Sequence, residues 1–173
     1  MFMPQPSEMV MIEFPRLDID LTLFKPWLTD REKRIARMEL GFASRGVMAD
    51  SERGGWYCLA VDHGHEKVVD KMLADADVET YLPTFPAYEY RRRGRVKTMP
   101  EKVIYDGYVM VRCGCDRRAF RGMAALKHVI GVLGGMTCPM RVSDESMSRF
   151  RQMVSDLLAG RELGTGERRK LMK

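Results

Sequence analysis

Between Trp56 and Gly160, short apolar runs of strand-forming residues alternate with stretches of helical periodicity, and this order constrains the fold most strongly. WYCLAVD predicts a strand, HEKVVDKMLADAD a helix and VETYLPT a second strand. A hairpin is then predicted, with YEYRRRGRVKTM bending near Arg93-Gly94 and KVIYDGYVMVRC returning. DRRAFRGMAALKHV predicts a second helix, VIGVLGG a strand, and VSDESMSRFRQMVSDLLAGR a third helix ending at Gly160. The order β-α-β-β-β-α-β-α is typical of an α+β fold, in which helices flank an antiparallel sheet.

The chain divides into three predicted regions. Residues 1–54 form an N-terminal extension, in which prolines interrupt any long element. Residues 55–160 form the α+β domain. Residues 161–173 are polar, basic and contain two glycines, which predicts a flexible tail.

The extension contains one predicted amphipathic helix, over about residues 29–46. Thr29 is the expected N-cap, and Ile35, Met38 and Phe42 are predicted to form the apolar face. This face needs a partner. The helix either packs on the α+β domain or makes a second contact with another molecule, and packing within the chain is slightly favoured.

Composition excludes several classes of protein. Hydrophobic residues make up 45% and charged residues 31% of the chain, as in an ordinary globular protein. No apolar run approaches the ~20 residues that span a membrane, and the N-terminus lacks the pattern of a secretory signal. The four scattered cysteines favour reduced thiols over a disulfide framework. A cytoplasmic protein without a membrane contact is therefore expected.

A search for catalytic or metal-binding motifs finds little. DHGHE places His63 and His65 beside two carboxylates, but none of the established zinc spacings is present. An exposed polar turn before a helix is the commoner use of such residues. The sequence has no nucleophile elbow, dinucleotide fingerprint or P-loop. We therefore expect no catalytic residue, metal or cofactor, and a protein that is not an enzyme.

A dense cationic cluster lies at the tip of the predicted hairpin. We name it the basic tip, and its residues are Arg91, Arg92, Arg93, Arg95 and Lys97. Arginines on a projecting loop can bind phosphates without sequence specificity. They can equally be solvated charges that discourage edge-to-edge strand pairing. The sequence favours neither interpretation.

Aromatic residues flank this tip. In a regular strand Tyr105 and Tyr108 point to opposite faces, so one of them is expected to face outward or line a groove. An exposed aromatic side chain is a common anchor for a protein partner.

These segments together resemble a known family. WYCLAVDHGHEKVVDKML, VETYLPT, the basic hairpin, YDGYVMV and VIGVLGG…PMRVSDESMSRF are similar to the N-terminal (NGN) domain of the NusG transcription factors, over about residues 55–158. The resemblance implies an NGN-like fold that binds the clamp helices of the largest RNA polymerase subunit and favours processive, antipausing or antiterminating elongation. It also implies a monomer.

The resemblance assigns roles to particular residues. Trp56, Tyr57, Tyr105, Gly107 and Tyr108 would contribute to the polymerase-binding face. The basic tip would lie near upstream DNA, nascent RNA or polymerase. The alternative is a stand-alone nucleic-acid-binding module that uses the tip without polymerase.

Two departures from the family pattern bear on function. The usual FPGY is YDGY here, so Asp106 replaces a proline and adds a charge to the loop. The segment after the third helix is too short for the KOW domain that recruits Rho or a ribosomal protein in the family. A specialised paralogue, such as one from a phage or mobile element, is the expectation.

Overall fold

The computed structural model describes residues 19–45 and 54–170, with side chains through residue 160. The strands are Gly54–Val61 (β1), Glu79–Tyr81 (β2), Thr84–Phe85 (β3), Tyr88–Arg92 (β4), Arg95–Met99 (β5), Lys102–Val103 (β6), Tyr108–Gly114 (β7) and Val129–Val132 (β8). The α-helices are Asp30–Leu40 (α1), Glu66–Asp75 (α2), Arg117–Ala124 (α3) and Asp144–Lys170 (α4). The expected stop of the first helix at Gly46 lies outside the described residues.

The central sheet is antiparallel, with the strand order β2-β7-β1-β8. Strands β1 and β7 form its centre and pair from Gly54↔Gly114 to Ala60↔Tyr108. Val109, Val111 and Cys113 are buried along β7, while the residues between them are more exposed. This period of two is the signature of a sheet with unequal faces. The predicted α+β fold with an antiparallel sheet is confirmed.

The hydrophobic core lies between one face of this sheet and the helices α1, α2 and α3. Tyr57 of β1 packs edge-on against Phe120 of α3, with ring centroids 4.8 Å apart. Val69 and Leu73 of α2 are fully buried in the same cluster, as is Leu40 of α1. The main apolar cluster therefore includes residues from the extension as well as from the α+β domain.

Helix α1 begins where the sequence predicts and ends earlier. Thr29 accepts a hydrogen bond from the Glu32 N–H, and the Glu32 side chain accepts one from the Thr29 N–H, which completes a capping box. The predicted N-cap is thus confirmed. The helix ends at Leu40 rather than near residue 46, and Gly41–Ala43 continue as a single 3-10 turn.

The predicted apolar face of α1 is wrong for two of its three residues. Ile35 and Met38 are 46% and 73% exposed, whereas Ala36 and Leu40 are buried. The buried side is the one that packs against α3, where Glu39 forms an ion pair with Arg121. Ala36, Leu40 and an ion pair, rather than Ile35 and Met38, therefore form this contact.

The hairpin pairs differently from the prediction. Tyr88–Arg92 pairs with Arg95–Met99, while the KVIYDGYVMVRC segment, predicted as the return strand, joins β3 and the central sheet. Pro100 directly follows β5 and cannot donate a backbone hydrogen bond, so the ladder does not continue past it. The bend at Arg93-Gly94 is as predicted: both residues have positive φ, of 51° and 74°, as a type I′ turn requires.

Helix α4 does not stop at Gly160 but continues to Lys170, through most of the predicted flexible tail. Its N-cap is Ser143, whose Oγ accepts from the Ser146 N–H. The glycines in this segment do not end the helix, because each weakens it by only about 1 kcal/mol and still donates its backbone N–H. A proline would break the helix, and the sequence has none after Pro139. Of the helices described, none is long and apolar enough to cross a membrane.

Candidate functional site

Within residues 19–45 and 54–170, only part of the second face of the central sheet is covered. Helix α4 covers one end, where the Arg151 guanidinium lies over the ring of Trp56 at 4.8 Å. The cross-strand pairs Ala60↔Tyr108, Cys58↔Met110 and Tyr81↔Met110 place the other residues of this face side by side. We name this surface the open face, and its residues are Cys58, Ala60, Tyr81, Tyr108 and Met110, with Tyr105 and Phe150 at its edge.

Two tyrosines give the open face its exposed aromatic surface. Tyr108 is 48% and Tyr105 is 38% exposed. Tyr105 lies against Phe150 of α4 with ring centroids 5.4 Å apart, and Tyr81 contacts the same ring at 6.0 Å. The cluster joins the sheet, α4 and the loop between β6 and β7. Such half-exposed aromatic groups are the kind that anchor protein partners.

The loop before β7 holds the two tyrosines in place. Gly107 adopts a φ of +85°, a conformation that residues with a Cβ rarely adopt. Its carbonyl accepts from the Val61 N–H at 2.9 Å, and its N–H donates to Glu66 Oε1 at 2.6 Å. Gly107 is therefore fixed from both sides, and it contributes to the site through its backbone.

Trp56 and Tyr57 were expected on the binding face, but the structure buries both side chains. They are 2% and 1% exposed. Tyr57 points into the core, and Trp56 lies under Arg151 at the covered end of the sheet. Neither side chain offers a partner a contact surface in this conformation, because helices cover both sides of this part of β1.

Sequence reasoning missed Tyr81, Met110 and Phe150. Alternation along β7 could have found Met110, since residues 108 and 110 share a face. Tyr81 and Phe150 carry no such signal, because their places depend on how β2 and α4 pack.

The basic tip is exposed throughout, on a ribbon that stands apart from the central sheet. The register pairs Tyr88↔Met99, Tyr90↔Lys97 and Arg92↔Arg95, so these residues share one face of the ribbon. Arg91 pairs with Val96 on the other face, and Arg93 lies in the turn. Three of the five predicted cations therefore lie beside two tyrosines.

Helix α2 begins with a buried carboxylate. Glu66 is 2% exposed, and its Oε1 accepts N–H bonds from Gly64 at 3.1 Å and Gly107 at 2.6 Å. Burial alone would raise the pKa of Glu66, but hydrogen bonds from backbone N–H groups outweigh it and hold the pKa below its ordinary value. Glu66 is therefore ionised at neutral pH.

One group of side chains has the composition of a metal site. His63, Glu66 and Asp106 each offer a ligand atom, and these atoms lie within 4.8 Å of one another. His63 and Asp106 are exposed, and Glu66 Oε1 already accepts two backbone N–H bonds. His65 is not in the group, and its ring stacks on the ring of His128 with centroids 3.8 Å apart.

Comparison with known proteins gives the family. The family model described as "Transcription termination factor nusG" matches residues 54–151, which include the central sheet, both two-stranded ribbons and the start of α4. None of the curated proteins compared with the chain matches it significantly. The matching family consists of non-enzymatic factors that act in transcription elongation and termination. Because the match covers more than half of the sequence, the chain belongs to the NusG family of transcription factors.

Proposed function

We propose that the chain binds RNA polymerase through the open face, at the clamp helices of the largest subunit, and promotes processive, antipausing or antiterminating elongation. The observation that carries the proposal is an aromatic, half-exposed sheet face in a member of the NusG family. Tyr108 and Met110 offer adjacent apolar surface without a charged side chain between them in the cross-strand register, and Tyr105 adds an aromatic ring at the edge through its contact with Phe150. An apolar strip of this kind suits the side of a helical pair.

The proposal needs no chemistry from the chain. Binding that holds the clamp closed around nucleic acid would disfavour the rearrangements that accompany pausing. The chain would act as a monomer in the cytoplasm, where it meets the transcribing polymerase, and would use neither a metal nor a cofactor.

A binding experiment with purified core RNA polymerase tests the docking face. Tyr108→Ala is expected to weaken binding by about tenfold or more, because truncation of an aromatic anchor commonly costs 2 kcal/mol or more. The side chain is 48% exposed, so stability should change little. Trp27→Ala is the matched control, since Trp27 is an exposed aromatic residue (73%) in the extension.

The outcomes separate the alternatives. Equal binding by wild type and Tyr108→Ala would move the contact away from the open face. Failure of the wild-type protein to bind at low micromolar concentration would end the proposal. If binding is lost only in Tyr108→Ala, pausing assays with both proteins measure the effect on elongation.

The basic tip supports a second candidate function, direct nucleic-acid binding. Arg92, Arg95 and Lys97 share a face with Tyr88 and Tyr90, whose ring centroids are 6.2 Å apart. Cations beside aromatic rings can bind phosphates while the rings stack on bases. On elongating polymerase the ligand would be upstream DNA or nascent RNA, and without polymerase the tip would act as a stand-alone module.

A triple substitution tests the tip. Arg92→Ala/Arg95→Ala/Lys97→Ala is expected to lower affinity for single-stranded oligonucleotides and to reduce the slope of log affinity against log salt by about 2. A control with Arg31, Arg34 and Lys71 changed to Ala removes the same net charge from exposed sites elsewhere. Equal losses in the two variants would mean that net charge, and not the tip, attracts the nucleic acid.

A further inference from the structure

Glu66 lies behind the loop that carries the docking tyrosines. It is the first residue of α2, and the loop lies about forty residues later in the chain, between β6 and β7. The Gly107 N–H and the Glu66 carboxylate are joined by a hydrogen bond of 2.6 Å. Glu66 itself is 2% exposed, so it cannot contact a partner directly and can act on one only through the groups it bonds, among them the loop.

The bond reaches the loop at its most constrained residue. Gly107 separates Asp106 from Tyr108, has a φ of +85° and is held on its other side by Val61. Tyr108 follows directly and begins β7. Loss of the Glu66 bond would leave the Gly107 N–H unpaired and free the chain between Tyr105 and Tyr108 to change its path.

The groups around Glu66 make its carboxylate difficult to replace. Its Oε1 also accepts from Gly64, and His63 Nδ1 lies 4.0 Å away. Hydrogen bonds to an ionised acceptor are stronger than neutral ones, and a buried partner left without one is costly. Glu66→Gln keeps a neutral acceptor of the same shape and should therefore still bind the Gly107 N–H, but more weakly. Glu66→Ala leaves only a methyl group and should not bind it at all.

We propose that Glu66 is a positioning residue for polymerase binding: through the Gly107 N–H it holds the Tyr105–Tyr108 loop in the conformation that docks. The proposal rests on the proposed function. It assigns a role in binding to a buried side chain that touches no partner.

Hydrogen exchange of single amides in the isotope-labelled full chain tests the hold on the loop. The Gly107 amide is expected to exchange about tenfold or more faster in Glu66→Ala and by an intermediate factor in Glu66→Gln. The amides of Leu59 and Val111 in the central sheet should keep their wild-type rates. Asp75→Asn makes the same chemical change as Glu66→Gln at an exposed position of α2 and should alter nothing.

Polymerase affinity of the same proteins tests the consequence. Affinity should fall in the order wild type, Glu66→Gln, Glu66→Ala, with a loss of about tenfold for the last, while Asp75→Asn binds as wild type. A purely structural role would slow or speed all core amides together and would not rank the two Glu66 variants by acceptor strength.

Two results would overturn the inference. The first is an unchanged Gly107 exchange rate in Glu66→Ala. The second is faster exchange with unchanged polymerase affinity, in a series where Tyr108→Ala does weaken binding. If the wild type itself fails to bind polymerase, the proposed function fails, and the exchange rates alone decide whether Glu66 holds the loop.

Discussion

Gly122 lies where α3 crosses α1, and its missing side chain permits the crossing. A Cβ built at this position would stand 2.7 Å from the Glu39 carbonyl carbon and equally close to the Leu40 Cα. These are backbone atoms and cannot rotate away. The close approach brings Arg121 to Glu39, and Arg118 over the ring of Phe42 at 3.7 Å. One glycine thus sets the distance between the extension and the domain.

Gly122→Ala is therefore expected to destabilise the protein by about 1–3 kcal/mol, the usual cost of forcing extra volume into a packed core. Urea denaturation followed by circular dichroism measures this loss. Gly131→Ala is the matched control, because a Cβ at Gly131 meets nothing within 4 Å and its φ is not positive. Equal stability of the two variants would show that α1 can move away without cost.

Single residues also show how far sequence reasoning reaches. Alternation places Tyr108 and Met110 on one face of β7, as the structure has them, but it left open which of Tyr105 and Tyr108 faces outward. Both are exposed, and Tyr105 lies in the loop before β7, where strand alternation does not apply. The burial of Trp56 does not follow, because it depends on Arg151 of a helix almost a hundred residues away. A period of two tells which face a residue takes, but not whether another element covers that face.

At the scale of elements, local signals located where helices begin better than where they end or what they contact. Thr29 caps α1 as predicted, and Asp116, the first residue of the predicted second helix, caps α3 by accepting from the Arg118 N–H at 2.8 Å. Capping depends on a few neighbouring residues, so sequence reveals it. The buried side of α1 depends on the shape of α3, and there the prediction based on Ile35 and Met38 was wrong.

The ribbon of β4 and β5 is an element whose turn could be predicted but whose partners could not. Arg93-Gly94 predicts the bend, and the two-residue turn fixes the register from Arg92↔Arg95 outward. That register divides the basic tip into two faces. The length of the ribbon is set by Pro100, and the next apolar segment joins the central sheet instead.

At the scale of the whole molecule, the described part of the extension belongs to the folded domain. Phe24, Leu40 and Ala43 are fully buried, and the backbone of residues 23–25 is hydrogen-bonded to residues 125–127. The family match begins at residue 54 and does not include these segments. The folding unit is thus longer than the matched domain.

A chain that begins at residue 46 should lose most of its stability. Truncating one large buried side chain costs about 2–5 kcal/mol, and this deletion removes several, against a total of about 5–15 kcal/mol for a small domain. Thermal unfolding of the shortened and full chains measures the difference. Met38→Ala in the full chain is the control, since its side chain is 73% exposed. Equal melting temperatures would mean that the extension packs on the domain without contributing to its stability.

The sequence by itself determined the α+β class, the order of the main elements, two helix caps and the hairpin turn, because each depends on periodicity or on a few adjacent residues. The resemblance to the NusG family, rather than periodicity, singled out the two tyrosines that the proposed docking face needs. Only the tertiary structure decided that Trp56 is covered and that Glu66 bonds to Gly107. It also decided that α1 buries Ala36, Glu39 and Leu40 rather than Ile35 and Met38. Each of these features is a contact between residues far apart in the chain, and local sequence patterns carry no information about such contacts.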